Sequence, residues 1–185
     1  NVFKKTFQSL LFLIIITIFI IYVVLGILYE NFMHPITVMS SLPPAALGGL
    51  ITLLIFRETI SLYSFVGILM LLGIVLKNGI ILVDFAVEGM QNEGMGIEES
   101  IRHACITRFR PILMTTIAAM MGAVPIALGI GGMTAESREP LGMVIVGGLI
   151  ISQFLTLFLT PITFIYLERL RRYFHGRKEA PKTES

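Results

Sequence analysis

The chain has a single cysteine, Cys105, so it forms no internal disulfide. Its three histidines, His34, His103 and His175, are scattered and show no metal-ligand spacing; each reads as a surface or interface residue. There is no Gly-rich phosphate loop followed by Lys-Ser or Lys-Thr, no Gly-x-Ser-x-Gly and no His-Glu-x-x-His. These gaps exclude an ATPase site, an elbow-type serine hydrolase and a zinc protease, and no cofactor is expected. No nucleophile–base pair stands out in the apolar segments, which disfavours an intramembrane enzyme. Charge is scarce too. Charged residues make up 14% of the 185, against about a quarter in an ordinary soluble domain. The sequence opens Asn1-Val2-Phe3 without a methionine, so an earlier part of the same reading frame is expected. Lys4 and Lys5 ahead of an apolar run imitate a signal peptide. That run is too long for an h-region and no small-x-small cleavage site follows it.

What the chain has in quantity is apolar sequence. Hydrophobic residues account for 55% of it, and the mean hydropathy is +0.87. They gather into five segments, about 9–29, 35–56, 62–86, 111–130 and 141–167. Each is long enough to cross a hydrocarbon core of about 30 Å. Lipid offers backbone groups no partners, so the segments are expected to be helices. The expected fold is an all-α membrane protein of about five transmembrane helices. The region 87–110 reads as a long polar loop containing a short amphipathic surface helix at about 97–106. There Ile97, Ile101, Ala104 and Cys105 lie opposite Glu98, Glu99 and Arg102. Arg110-Pro111 should open the fourth span, since proline suits a first helical turn. Residues 171–185 read as a basic, disordered tail.

Basic residues set the orientation. The tail carries Arg169, Arg171, Arg172, Arg177, Lys178 and Lys182, and the long loop carries Arg102, Arg108 and Arg110. With five spans these regions share one side. The other side holds Lys4, Lys5, Arg57 and Arg138. The C-terminus is therefore expected in the cytoplasm.

Lys77 needs a reason. It lies inside the third segment, in Gly73-Ile74-Val75-Leu76-Lys77-Asn78-Gly79-Ile80. A lysine near a helix centre costs roughly 2.5 to 3.5 kcal/mol on insertion scales. Snorkelling is the plain alternative, but Lys77 is about ten residues from the end of its span, on the order of 15 Å. Asp84 is the acid deepest in a span, and it sits roughly 10 Å further along the same helix. That is too far for a direct pair, and Asp84 reads equally as a solvated interface residue. The expected carboxylate partner therefore lies outside this sequence. Asn78 is placed to hydrogen-bond between helices. Thr115 and Thr116 lie about one turn into the fourth segment, and membrane threonines commonly bond their own backbone or a neighbouring helix. Gly67, Gly73, Gly79 and the pairs Gly48-Gly49 and Gly147-Gly148 permit close helix packing.

The stretch from Gly73 through Lys77-Asn78 to Asp84-Phe85-Ala86 resembles the lysine-bearing helix of resistance–nodulation–division (RND) efflux pumps of the multidrug, hydrophobe/amphiphile exporter type. Arg108-Phe109-Arg110-Pro111-Ile112-Leu113-Met114-Thr115-Thr116 is similar to the start of that family's next helix. Arg138-Glu139-Pro140-Leu141-Gly142 through Gly147-Gly148 is similar to the entry to its last helix, and Leu28-Tyr29-Glu30-Asn31-Phe32 to the end of its eighth. The resemblance implies helices eight to twelve of a twelve-helix, proton-driven antiporter in the bacterial inner membrane. It implies that Lys77 is a relay lysine paired with two aspartates in the N-terminal half. Thr115 would be a relay threonine, with Arg108, Asn78 and Asp84 as neighbours. It implies a trimer joined to a periplasmic adaptor and an outer-membrane channel, with protons as the coupling ion. No nucleic-acid partner is expected. RND-like lipid or protein-translocation auxiliaries and a non-transporting membrane module are the alternatives, and a simple anchor has no use for a buried Lys77.

Overall fold

The computed structural model describes residues 1–29 and 33–176. Among the described residues there are six helices: α1 (Val2–Tyr29), α2 (Met33–Met39), α3 (Leu42–Ile55), α4 (Leu62–Asn92), α5 (Ile97–Ala127) and α6 (Ala135–Gly176). Five stretches are long and apolar enough to span a bilayer: Val2–Tyr29, His34–Ile55, Leu62–Asn92, Ile97–Ala127 and Ala135–Phe174. The all-α, five-span reading therefore holds.

Several boundaries differ from the sequence reading. The second span is broken between α2 and α3. Pro43 and Pro44 lie in the first turn of α3, and neither can donate a backbone hydrogen bond into the turn before it. The end of α2 is closed by the Ser40 and Ser41 amides, which donate to Ile36 O at 2.9 Å and Val38 O at 3.2 Å, and by their hydroxyls. Ser40 Oγ donates to Thr37 O at 2.5 Å and Ser41 Oγ to Val38 O at 2.7 Å.

The long polar loop is mostly helix. α4 continues to Asn92, α5 starts at Ile97, and Gly94 takes a positive φ of 63° in the short link. α5 then runs straight through Pro111, so the fourth span has no separate start there. The apolar side of residues 97–106 explains this continuity. Ile101 and Ala104 are buried against Val83, Ala86 and Val87 at the end of α4. Burying that stripe on another helix holds the first turns of α5 in line with the span below. α6 likewise extends past both ends of the expected fifth segment. Residues 171–176, expected to be disordered, are helical. The remainder of the tail, and the Glu30–Phe32 part of the first connection, lie outside the described residues.

α6 is the axis of the bundle and packs along α3, α4 and α5. Glycines let it approach α3. A methyl group at Gly48 would sit 3.3 Å from Gly148 O and 3.4 Å from Ser152 N. Gly67 is tight against Leu141 and Val144, whereas a methyl at Gly73 would meet nothing within 4 Å. Gly73 is therefore not a contact glycine within this bundle. α1 lies at the periphery with Leu25 as its buried residue. It is tied in by Tyr29 Oη donating to Ile80 O at 3.3 Å. At the same end, Arg169 pairs with Glu98 across α6 and α5. Both side chains are exposed, and such pairs contribute little. His34, expected at a surface or interface, is 4% exposed and stacks on Phe164 with ring centroids 6.2 Å apart.

Candidate functional site

The outer face of α4 carries Lys77. Val66, Met70, Lys77, Asp84 and Glu88 recur at helical spacing and are all exposed. The residues opposite them, including Leu71, Val75, Leu82 and Ala86, are buried. Lys77 thus points out of the packed core of the bundle. It has no hydrogen-bond or ion-pair partner among the described residues, whose ion pairs are Arg169–Glu98 and Arg171–Glu168.

One step round the helix, Asn78 turns inward and is 5% exposed. Its Nδ2 donates to Thr116 Oγ1 and Gln153 Oε1, each at 3.5 Å. Thr116 Oγ1 lies 2.8 Å from Ile112 O and 3.2 Å from Gln153 Oε1. A hydroxyl has one proton, so only one of those two oxygens can accept it at a time. The trio joins α4, α5 and α6 next to Lys77 and leaves α4 little freedom to rotate there.

Thr115 occupies the next position round α5. It is exposed and donates to Ile112 O at 2.9 Å. Because Asn78 meets Thr116, Lys77 and Thr115 sit at the same depth, but no contact joins them. Arg108 lies two turns further along α5, with Cζ 4.7 Å from the centre of the Phe85 ring. That cation–π contact leaves the buried Nε of Arg108 without a hydrogen-bond partner. Asp84 is exposed and shares a polar recess of about 480 Å³ with Tyr29, Glu88 and Gln91.

Gln153 is the member that sequence reasoning missed. Its only signal was an amide in an otherwise apolar span, and nothing in the spacing pointed it at Asn78. Thr116 was visible but carried no distinguishing mark beside Thr115. Gln153→Leu is expected to destabilise the bundle by about 0.6 to 1.7 kcal/mol, the average and the maximum measured for interhelical polar contacts in membranes. Unfolding in mixed detergent would read this, and a variant as stable as the parent would show that the amide contributes nothing to packing.

The sequence profile of the AcrB/AcrD/AcrF family matches residues 1–168. A Multidrug resistance protein MdtC from Salmonella schwarzengrund is 48% identical over 184 residues, covering 100% of this chain. Its counterpart from Erwinia tasmaniensis is 52% identical over 171 residues, covering 92%. The chain spans only 18% and 17% of those two proteins. Among solved structures, a heavy metal efflux pump superposes with a TM-score of 0.79 at 28% identity, covering 90% of this chain and 16% of that one. With the profile matching nearly from end to end, the chain belongs to the AcrB/AcrD/AcrF family of RND efflux pumps.

Proposed function

We propose that this chain supplies the lysine side of the proton relay in a drug-exporting RND antiporter of the bacterial inner membrane. The carrying observation is the outward aim of Lys77. A mid-span ammonium without a partner in its own bundle is too costly to leave facing lipid. It is accounted for if a second helix bundle, carrying the relay aspartates of the N-terminal half, packs on the Val66–Met70–Lys77–Asp84 face. Thr115, level with Lys77, then borders the same interface, and Asn78 with Thr116 and Gln153 fixes the rotation of α4. Arg108 and Asp84 lie toward the end that bears the basic residues, which we place in the cytoplasm. By family resemblance the working unit is a trimer coupled to a periplasmic adaptor and an outer-membrane channel.

The mechanism follows from charge balance. With the aspartates ionised, Lys77 is held by them as an ammonium. A proton arriving from the periplasm neutralises one carboxylate and weakens that attraction. Lys77 then reorients and α4 shifts against the other half. The membrane potential contributes about 2.3 kcal/mol per proton per 100 mV, enough to bias two packed states separated by a small gap.

A heavy-metal cargo is the second reading, favoured by the solved efflux pump, but the multidrug relatives near half identity outweigh it. Full-length protein in everted vesicles tests the coupling. An imposed pH gradient should drive drug uptake, and a protonophore should abolish it. Uptake that survives the protonophore would overturn proton coupling.

A further inference from the structure

α6 carries a second polar feature, away from Lys77. Ser152, Thr156 and Thr160 follow one another at four-residue spacing, so their side chains line one face. Their relative exposures are 0%, 7% and 0%. Their hydroxyl oxygens are buried and have no hydrogen-bond partner among the described residues, not even the carbonyl one turn back that membrane threonines commonly use. Two more steps of four along that face reach Phe164 and then Glu168, which is 6% exposed and accepts from Arg171 Nη1 at 3.2 Å.

The facing element is α2 with the start of α3. α3 and α6 run antiparallel, with Gly48 against Gly148 and Ser152, and His34 stacks on Phe164. Thr156 and Thr160 therefore lie level with the α2–α3 break, where Ser41 and Thr37 are also buried. At the Phe164 level, where the α6 face is apolar, the His34 imidazole supplies the polar group. His34 in turn lies in the field of Glu168 and Arg171. At the other end, Gln153, next to Ser152, belongs to the Asn78 trio beside Lys77. From Ser152 to Glu168 the face is about 24 Å long.

Buried hydroxyls without protein partners are costly in a hydrocarbon setting. A polar site of this kind normally holds internal water. We propose that Ser152, Thr156 and Thr160 line a hydrated seam between α6 and the α2–α3 break. The seam carries protons between the depth of Lys77 and the His34–Glu168–Arg171 cluster at the α4–α5 end. Each hydroxyl accepts a proton at a lone pair and gives up its own to the next water, so nothing accumulates along the way. The proton leaves through the imidazole and the Glu168 carboxylate to bulk water. The proton-carrying part rests on the antiport reading above; the hydration does not.

The test uses the full-length transporter. Thr156→Cys and Thr160→Cys are compared with Val144→Cys, which lies on the same helix among apolar neighbours, by radiolytic hydroxyl-radical oxidation read peptide by peptide. Internal water should make the first two thiols oxidise many times faster than the third. Equal, slow oxidation at all three overturns the seam, and does so whether or not transport is proton-driven. The paired change Thr156→Val with Thr160→Val then tests conduction in reconstituted vesicles. Proton uptake should fall by on the order of tenfold, the factor corresponding to one net hydrogen bond. Thr156→Ser with Thr160→Ser should restore it. Unchanged uptake in the paired valine variant, with the introduced thiols oxidised, overturns the proton route.

Discussion

Gly142→Ala is expected to destabilise the protein by about 3 kcal/mol, the upper end of the usual cost of overpacking. A β-carbon built on Gly142 would lie 2.7 Å from Ala127 Cα and 2.8 Å from the carbonyl carbon of Ile126. Real β-carbons do not approach other atoms that closely. The size of the effect follows from what stands in the way. At Gly148 the nearest obstacle is the Leu71 side chain, which can change rotamer. At Gly142 it is backbone, at the last turn of α5, so relief requires moving one helix from the other. Close packing of this kind holds membrane helices together, since burial from water contributes nothing between them. Gly26→Ala is the control, because a methyl there meets nothing within 4 Å. Thermal unfolding of the full-length transporter should separate the two variants clearly. If Gly142→Ala melts with Gly26→Ala, the α5–α6 approach is looser than described.

Gly142 also shows what the sequence could and could not disclose. It was visible inside Arg138-Glu139-Pro140-Leu141-Gly142 as part of a family pattern, but not as a point where the backbones of two helices press together. The span count was legible because a bilayer imposes length and apolarity on any crossing segment. Ends were less legible because the solvated turns of α4, α5 and α6 are polar and look like loop. Only the tertiary contact of Ile101 and Ala104 with Val83 and Ala86 shows that α5 is already helical there. The break before Pro43 was foreshadowed by the proline pair, yet hydropathy alone treats residues on both sides as one run. For the site, the oddity of Lys77 was plain from its cost, whereas the side of α4 on which it stands was not. The Asn78–Thr116–Gln153 trio was not legible, because it is assembled from three helices with no local sequence mark. Ser152, Thr156 and Thr160 did leave a mark in their spacing, one that becomes meaningful only once that face is known to be buried.

Lys77→Ala in the full-length transporter is expected to reduce drug export to the level of cells without the pump, at parent-like expression and melting temperature. The two readouts are expected to part company for a physical reason. Lys77 has no hydrogen-bond or ion-pair partner among the described residues and stands outside both apolar cores, so its loss leaves α3, α4, α5 and α6 packed as before. If the side chain served no purpose, its removal would relieve roughly 2.5 to 3.5 kcal/mol of insertion cost and transport would be untouched. If it neutralises carboxylates on the facing half, its removal leaves them in a low dielectric without a cation. They then hold protons at every pH the cell maintains, and the cycle loses its ionised state. Export at the parental level would rule out the relay. Lys77→Arg refines the point, because it keeps the charge but replaces a compact ammonium with a planar fork that stays protonated. It is expected to fail in transport as well. If it instead supports full export, a fixed positive charge on this face of α4 is sufficient, and reorientation of a compact lysine is not the step that couples protons to movement.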